Sequence, residues 1–172
     1  MSSLAEFRQQ KDVFFKTDPQ SPLRPDQRTD FDGLKYFPEN PRLRITAKVE
    51  EYPDQQIVPM TTSTGAVKEY YKYGHFSFEV DGQTAALQVY QDLDRNTFFL
   101  PFVDATAPTE TYGAGRYLDL EPERDNIFVI DFNYAYNPYC AYNENWSCPI
   151  PPKENRLAVM IEAGEKNFKA DH

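Results

Sequence analysis

The chain has 172 residues, a length that suits one domain with a hydrophobic core of its own. Its net charge of -9, without any run of basic residues, disfavours contact with phosphate backbones, so we expect no nucleic-acid partner. No apolar stretch is long enough to cross a membrane, and the N-terminus lacks the basic start and apolar middle of a secretory signal. We therefore expect no membrane partner and a cytoplasmic location.

The N-terminal segment, residues 3–17, is predicted to form a helix. Ser3 followed by Glu6 fits a capping box, in which the two side chains satisfy free amide groups of the first turn. The helix should end before Pro19, because the residue preceding a proline disfavours helical backbone. The proline-rich segment 18–41 that follows is predicted to be irregular and packed against the rest of the domain.

From residue 42 onward, apolar residues alternate with polar ones, a pattern typical of half-buried strands. Pro59 indicates an edge strand or a bulge, and the turn residues at 63–65 and 81–82 predict hairpins. About nine short strands without intervening helices, in a chain that is 15% aromatic, indicate an antiparallel β-sandwich or β-barrel. The fold class is thus mainly β with one N-terminal helix. The predicted strands cover residues 42–50, 55–62, 66–73, 75–80, 84–90, 97–103, 116–120, 126–132 and 156–163.

One long segment without periodicity, residues 133–155, interrupts these strands. Loops of this length inside a compact domain are uncommon and often functional. This loop contains both cysteines and the only tryptophan of the chain. We expect it to belong to a β domain at 42–166, within a single domain that spans residues 1–172.

The segment 104–156 and its neighbours carry several motifs in a fixed order. They are GHFSFE (74–79), FFLPFVDAT (98–106), ETYGAGRYLDL (110–120), DFNYAYNPYCAYN (131–143), CPIPP (148–152), ENRL (154–157) and AGEK (163–166). Through these motifs the chain resembles, from about residue 7 to residue 166, an uncharacterised bacterial and archaeal family called domain of unknown function 1684. The resemblance implies one integral domain with the segment 104–156 as its hallmark, and it assigns no activity to any residue.

Glu110 and Arg116 flank two glycines, which permit a tight turn between them. The two charged side chains could face one another across this turn. In one interpretation Arg116 binds a carboxylate or another anion through parallel hydrogen bonds, and Glu110 orients it. In the other, the two residues form a structural ion pair that fixes the turn.

Asp131 and Asn133 lie on one face at the end of the predicted strand 126–132. They could face a pocket, or they could cap the following loop through hydrogen bonds to the backbone. Tyr112 and Tyr136 belong to a tyrosine-rich region, and such rings can stack on sugars and planar ligands or pair across strands.

Cys140 and Cys148 lack the close paired spacing of a zinc site, so we expect no metal. We also expect no cofactor. The two cysteines could be buried thiols or could form a disulfide that closes the loop. A serine or cysteine nucleophile would depend on His75 as its base, and alternation along the strand places His75 on the solvent side.

These observations predict a domain that binds a small polar or anionic molecule in a pocket at the sheet mouth near Arg116. One alternative is an enzyme of hydrolase or lyase type, with Arg116 as an electrophilic anchor and Asp131 or Glu110 as acid or base. Another is a structural or interaction domain in which the motifs only hold the long loop. No catalytic residue is identified. The candidate ligand-binding residues are Glu110, Tyr112, Arg116, Asp131, Asn133 and Tyr136.

Overall fold

A computed structural model describes residues 3–143 and 146–168. Helix α1, Leu4–Thr17, begins after Ser3, whose hydroxyl oxygen accepts a hydrogen bond from the Glu6 amide at 3.1 Å. The predicted N-terminal helix and its cap are therefore confirmed. A short second helix, α2 (Pro25–Thr29), lies in the segment predicted to be irregular. Its first residue is a proline, which is tolerated there because the amide group of that position has no helical partner.

The strands form two antiparallel sheets. The larger sheet has the order β2-β4-β5-β6-β7, with β3 paired to β4, and the smaller has the order β1-β9-β8. The predicted mainly β, antiparallel fold is confirmed, and because the two sheets share one core their arrangement is that of a sandwich. The strands are β1 (Arg44–Lys48), β2 (Glu50–Glu51), β3 (Ile57–Thr61), β4 (Val67–Val80), β5 (Gln83–Gln91), β6 (Phe98–Phe102), β7 (Arg116–Leu120), β8 (Pro122–Arg124) and β9 (Ile127–Asp131).

The two strands predicted at 66–73 and 75–80 are one continuous strand, β4, with a register irregularity between Lys72 and Gly74. At Gly74 an added Cβ atom would lie 2.5 Å from the backbone oxygen of Glu50, so the glycine permits β2 to approach β4 closely. The predicted hairpin at 81–82 is present, and both of its turn residues have positive φ angles, 51° and 81°.

The segment 156–163, predicted to be a strand, is not one. It makes a single bridge, between Arg156 and Val103, and then continues without ladder pairing. Val159 and Ile161 are nevertheless buried in the core, which explains the alternating pattern of the sequence. The backbone oxygen of Ile161 accepts a hydrogen bond from the Arg116 side chain at 2.9 Å, in place of a strand neighbour.

Aromatic side chains dominate the core, as the composition suggests. Phe132 contacts Phe78 and Phe102 with ring centroids 5.4 Å apart in each case, and this joins the end of β9 to the larger sheet. A separate cluster around Phe15 and Tyr142 holds α1 against the long loop. Within the part of the chain that the structure describes, no helix is both long and apolar enough to span a membrane.

Candidate functional site

Arg116, the centre of the predicted pocket, is buried, with 1% of its surface exposed. Its Nη2 atom donates to Asp104 Oδ1 at 3.1 Å and to the backbone oxygen of Ile161. Its Nη1 atom donates to the backbone oxygens of Ala163 and Glu165. Both terminal nitrogens of the guanidinium are therefore used within the protein.

The ion pair between Glu110 and Arg116, one of the two interpretations of this turn, is not formed, because Arg116 pairs with Asp104 instead. Gly115 has a φ angle of 101°, and an added Cβ atom there would lie 2.6 Å from the Phe102 oxygen. The chain therefore passes close against β6 at this point, and the next side chain enters the core. Glu110 lies in the preceding turn, where its backbone oxygen accepts a hydrogen bond from Asn167 at 3.0 Å.

Asp104 completes a buried connection between β7 and the C-terminal segment. Its Oδ2 atom accepts hydrogen bonds from the Ile161 amide at 2.7 Å and from the Thr106 hydroxyl at 2.7 Å. Burial lowers the pKa of Arg116, and the neighbouring Asp104 carboxylate opposes this effect. Arg116 therefore has a structural ion pair, as one interpretation of the glycine turn proposed, but its acidic partner is Asp104 and not Glu110.

Asp131 and Asn133 cap the start of the long loop. Asp131 Oδ1 accepts hydrogen bonds from the Asn133 backbone amide at 3.0 Å and from its side-chain amide at 2.8 Å. Asn133 in turn exchanges hydrogen bonds with the backbone of Asn40. Asp131 and Asn133 therefore cap the following loop, as one of the two interpretations proposed, and use their polar atoms within the protein.

Of the remaining candidates, Tyr112 and Tyr136 lie in different places. The Tyr112 hydroxyl is 3.7 Å from Cys140 Sγ, beside a hollow of about 720 Å³ whose lining residues carry no charged group. Tyr136 lines a second hollow, which we call the aromatic groove. The six predicted residues therefore do not converge on one pocket.

The aromatic groove has a volume of about 480 Å³, within the usual range for small-molecule sites. Lys11 of helix α1, Tyr117 and Asp119 of strand β7, and residues of the long loop surround it. Tyr136 exchanges two backbone hydrogen bonds with Tyr117, at 2.8 and 3.0 Å, which fixes the start of the loop beside β7. The lining residues are Lys11, Tyr117, Asp119, Tyr136, Pro138, Tyr139, Trp146, Ser147 and Cys148.

Two ring pairs shape the groove. Tyr117 and Tyr136 meet edge to face with ring centroids 5.8 Å apart, and Tyr139 and Trp146 do so at 5.1 Å. Trp146 keeps 40% of its surface exposed, which is unusual for the largest apolar side chain. An exposed indole beside other rings is a common feature of recognition surfaces.

Two charged side chains border these rings. Asp119 Oδ2 accepts a hydrogen bond from the Tyr136 hydroxyl at 2.8 Å, and the surrounding protein raises the pKa of the Asp119 carboxyl through desolvation. Lys11 forms an ion pair with the buried Glu165, and its ammonium lies 5.1 Å from the centre of the Tyr136 ring. Glu165 also accepts hydrogen bonds from the Tyr142 hydroxyl and the Asn137 amide.

The two cysteines are free thiols near one end of the groove. The Cys140 amide donates to Cys148 Sγ at 3.3 Å. Hydrogen bonding from Cys148 and Tyr112 lowers the pKa of the Cys140 thiol, whereas interaction with Cys140 and burial raise the pKa of Cys148.

Comparison with known proteins places this fold in a family. Residues 29–166 match the family described as "Protein of unknown function (DUF1684)". The chain belongs to the DUF1684 family. The solution NMR structure of the uncharacterized protein from gene locus rrnAC0354 of Haloarcula marismortui is similar, with 40% sequence identity and a TM-score of 0.73. The similarity covers 95% of this chain and 91% of that one. No curated protein matches the sequence.

Sequence reasoning on this DUF1684 chain missed most of the groove. Asp119 and Tyr117 alternate with buried Leu118 and Leu120 on β7, so period two would have placed both on one face. Lys11 lies on α1 between the buried Leu4 and Phe15, and a lysine is almost never fully buried without an acidic partner. No local pattern indicates that α1, β7 and the loop meet at one place.

Proposed function

We propose that the protein binds a small, neutral, hydroxylated ring molecule, of the chemical class of the monosaccharides, in the aromatic groove. The observation that carries this proposal is the exposed Trp146 ring, packed against Tyr139, in the same groove as the Asp119 carboxylate. Aromatic faces stack on the C–H faces of sugar rings, and a carboxylate accepts hydrogen bonds from their hydroxyl groups.

The charge of the groove favours a neutral ligand over an anion. The Lys11 ammonium is already paired with Glu165, whose side chain is 2% exposed. Asp119 adds a second carboxylate close to the same ammonium. An anionic ligand would therefore meet a surplus of negative charge. The buried guanidinium of Arg116 offers no terminal nitrogen to compensate it.

Binding is better supported than glycoside hydrolysis. Hydrolysis of this kind ordinarily uses two carboxyl groups, about 5 to 9.5 Å apart, on either side of the scissile bond. Among the described residues that line the groove, Asp119 is the only one with a carboxylate. The raised pKa of Asp119 is the one feature that supports the acid–base alternative.

Trp146 makes the proposal directly testable, because it is the only tryptophan of the chain. We expect neutral monosaccharides, titrated one at a time, to change its fluorescence in a saturable manner for at least one sugar, whereas inorganic phosphate should not. Asp119→Asn should weaken binding at least several-fold, because its amide is a poorer acceptor than the carboxylate.

Glu123→Gln provides the matched control, because Glu123 is an exposed carboxylate on β8 in the other sheet. This variant should bind as the unmodified protein does. Failure of every sugar tested to change the fluorescence, or equal weakening by Asp119→Asn and Glu123→Gln, would contradict the proposal.

A further inference from the structure

Cys140 and Cys148 are held within reach of one another in the folded protein. Cys140 lies in a single 3₁₀ turn, Tyr139–Ala141, and its amide nitrogen is 3.3 Å from Cys148 Sγ. With an N–Cα bond of about 1.46 Å, that sulfur lies no more than about 4.8 Å from the Cys140 Cα atom. The Cys140 side chain is attached to the same Cα atom, so rotation of that side chain can bring its Sγ atom towards Cys148 Sγ, as a disulfide with an S–S bond of about 2.05 Å requires.

The position of Cys148 is fixed from outside the loop. The turn between β3 and β4 binds it through Ser63, whose amide donates to the Cys148 oxygen at 2.9 Å. The Cys148 amide donates in return to Ser63 Oγ at 3.1 Å, and Thr62 makes a bridge with Pro149. The β3–β4 hairpin therefore anchors one thiol while the 3₁₀ turn anchors the other.

The two thiols are chemically unequal. Cys140 is half-buried and its Sγ atom lies 3.7 Å from the Tyr112 hydroxyl, whereas Cys148 is buried at 9% exposure. The hydroxyls of Tyr112 and Ser63 stabilise a negative charge on Cys140, and the Tyr117 ring lies close to both sulfurs. Because Cys140 is the more exposed thiol, contacts the Tyr112 hydroxyl and has a lowered pKa, it is the better placed of the two to react as a thiolate.

We propose that Cys140 and Cys148 form a redox-active dithiol, in which Cys140 reacts with a hydroperoxide and Cys148 resolves the product as a disulfide. The Cys140 thiolate attacks the peroxide oxygen, its O–O bond breaks, and a sulfenic acid and a hydroxide or alkoxide result. The Cys148 sulfur then attacks the sulfenic sulfur, and its proton leaves with the hydroxyl group as water. With hydrogen peroxide, two thiols lose two electrons and two protons, and two waters form.

Cys148 also lines the aromatic groove, but the oxidation of the two thiols requires no bound sugar. The thiols, the 3₁₀ turn and the β3–β4 hairpin carry the redox proposal.

The test is oxidation of the folded, fully reduced protein with stoichiometric hydrogen peroxide, followed by alkylation under denaturing conditions and intact-mass measurement. We expect a loss of two hydrogen atoms, no alkylation at either cysteine, and recovery of both thiols after reduction. Peptide mapping without reductant should join the segments that contain Cys140 and Cys148.

Single variants separate the two roles. Cys148→Ser should leave a sulfenic acid on Cys140 that dimedone traps, whereas Cys140→Ser should leave the Cys148 thiol unmodified. Tyr112→Phe keeps the ring but removes the hydroxyl, so its disulfide should form several-fold more slowly near neutral pH. Tyr71→Phe, which removes a hydroxyl from β4, serves as the matched control and should react at the unmodified rate.

Three results would overturn the inference, and the first two come from the unmodified protein alone. One is that both thiols of the folded protein remain alkylatable after peroxide and oxidise only when it is unfolded. Another is that oxidation yields a disulfide-linked dimer, or sulfinic acid at Cys140 with Cys148 intact. The third is preferential reaction of Cys148 in the Cys140→Ser variant.

Discussion

Arg116 and Lys11 are both basic residues paired with a buried carboxylate, yet their side chains differ in exposure to solvent. The Arg116 side chain is 1% exposed and donates to Asp104 and three backbone oxygens. The Lys11 side chain is 17% exposed, and its ammonium lies against the rings of Tyr136 and Phe15. Arg116 therefore joins elements of the fold, whereas Lys11 joins the fold to the aromatic groove.

Removal of the Arg116 side chain should be strongly destabilising. Arg116→Ala leaves Asp104 as a buried carboxylate without its cation, a change that costs about 3–5 kcal/mol in other proteins. Arg44→Ala is the control, because the side chain of Arg44 is 61% exposed and its ion pair with Asp131 spans 3.7 Å. Loss of this exposed pair should lower the free energy of unfolding by less than about 1 kcal/mol. Urea denaturation measures both free energies of unfolding, and similar losses would contradict a structural role for Arg116.

Asp119 should impose a pH dependence on stability. Its pKa is raised in the fold, so the folded state favours the protonated carboxyl, and stability is lost as the pH rises through that pKa. Asp119→Asn cannot ionise and should gain stability relative to the unmodified protein between pH 4 and neutrality. The gain should be small because Asp119 remains solvent-exposed. Urea denaturation across this pH range measures the difference in free energy of unfolding between the variant and the unmodified protein. A difference that did not change with pH, or that changed in the opposite direction, would contradict a raised pKa for Asp119.

The sequence identified Arg116 as important but not its partner. Asp104 follows β6, and only the pairing of β6 with β7 brings the beginning of β7 close to it. The Asp131 cap was within reach of sequence analysis because its contacts to Asn133 are only two residues apart. Side-chain roles that depend on local spacing were therefore predictable, and roles that depend on strand pairing were not.

At the scale of elements, the features that follow from local rules were predicted, and those that depend on contacts between distant segments were not. The N-terminal helix and the hairpin at 81–82 follow from local rules of capping and turn formation. The continuity of β4 depends on Gly74 fitting against β2, which no local pattern shows. The segment 156–163 alternates like a strand, but its backbone oxygen at Ile161 is taken by Arg116.

Gly74→Ala should test the contact between β2 and β4. The added methyl group would lie 2.5 Å from the Glu50 oxygen and 2.8 Å from Val49 Cγ1, so a strand must move. Overpacking of this kind costs about 1–3 kcal/mol, seen as a lower Tm in thermal unfolding. Gly113→Ala is the control, because its added methyl group would approach only Pro108, at 3.3 Å. If Gly113→Ala lowered the Tm as much as Gly74→Ala, the close approach of β2 to β4 at Gly74 would not be the cause.

At the scale of the whole molecule, three hydrophobic clusters meet at the long loop. The main core fills the space between the sheets, the second lies under the aromatic groove around Tyr117, and the third holds α1 through Phe15. Because α1, β7 and the loop each contribute to the groove, its geometry depends on the complete fold. The Haloarcula marismortui protein, similar over 95% of this chain, provides a second molecule in which the same measurements can be made.

The most direct test of the groove as the ligand site is an amide chemical-shift titration of the folded protein with the monosaccharide that quenches or enhances Trp146 fluorescence. We expect saturable shifts on β7, on the C-terminal half of α1, and at residues 136–148 of the loop, with the smaller sheet unchanged. Shifts that are absent, or that cluster on β1, β8 and β9, would contradict ligand binding in the groove.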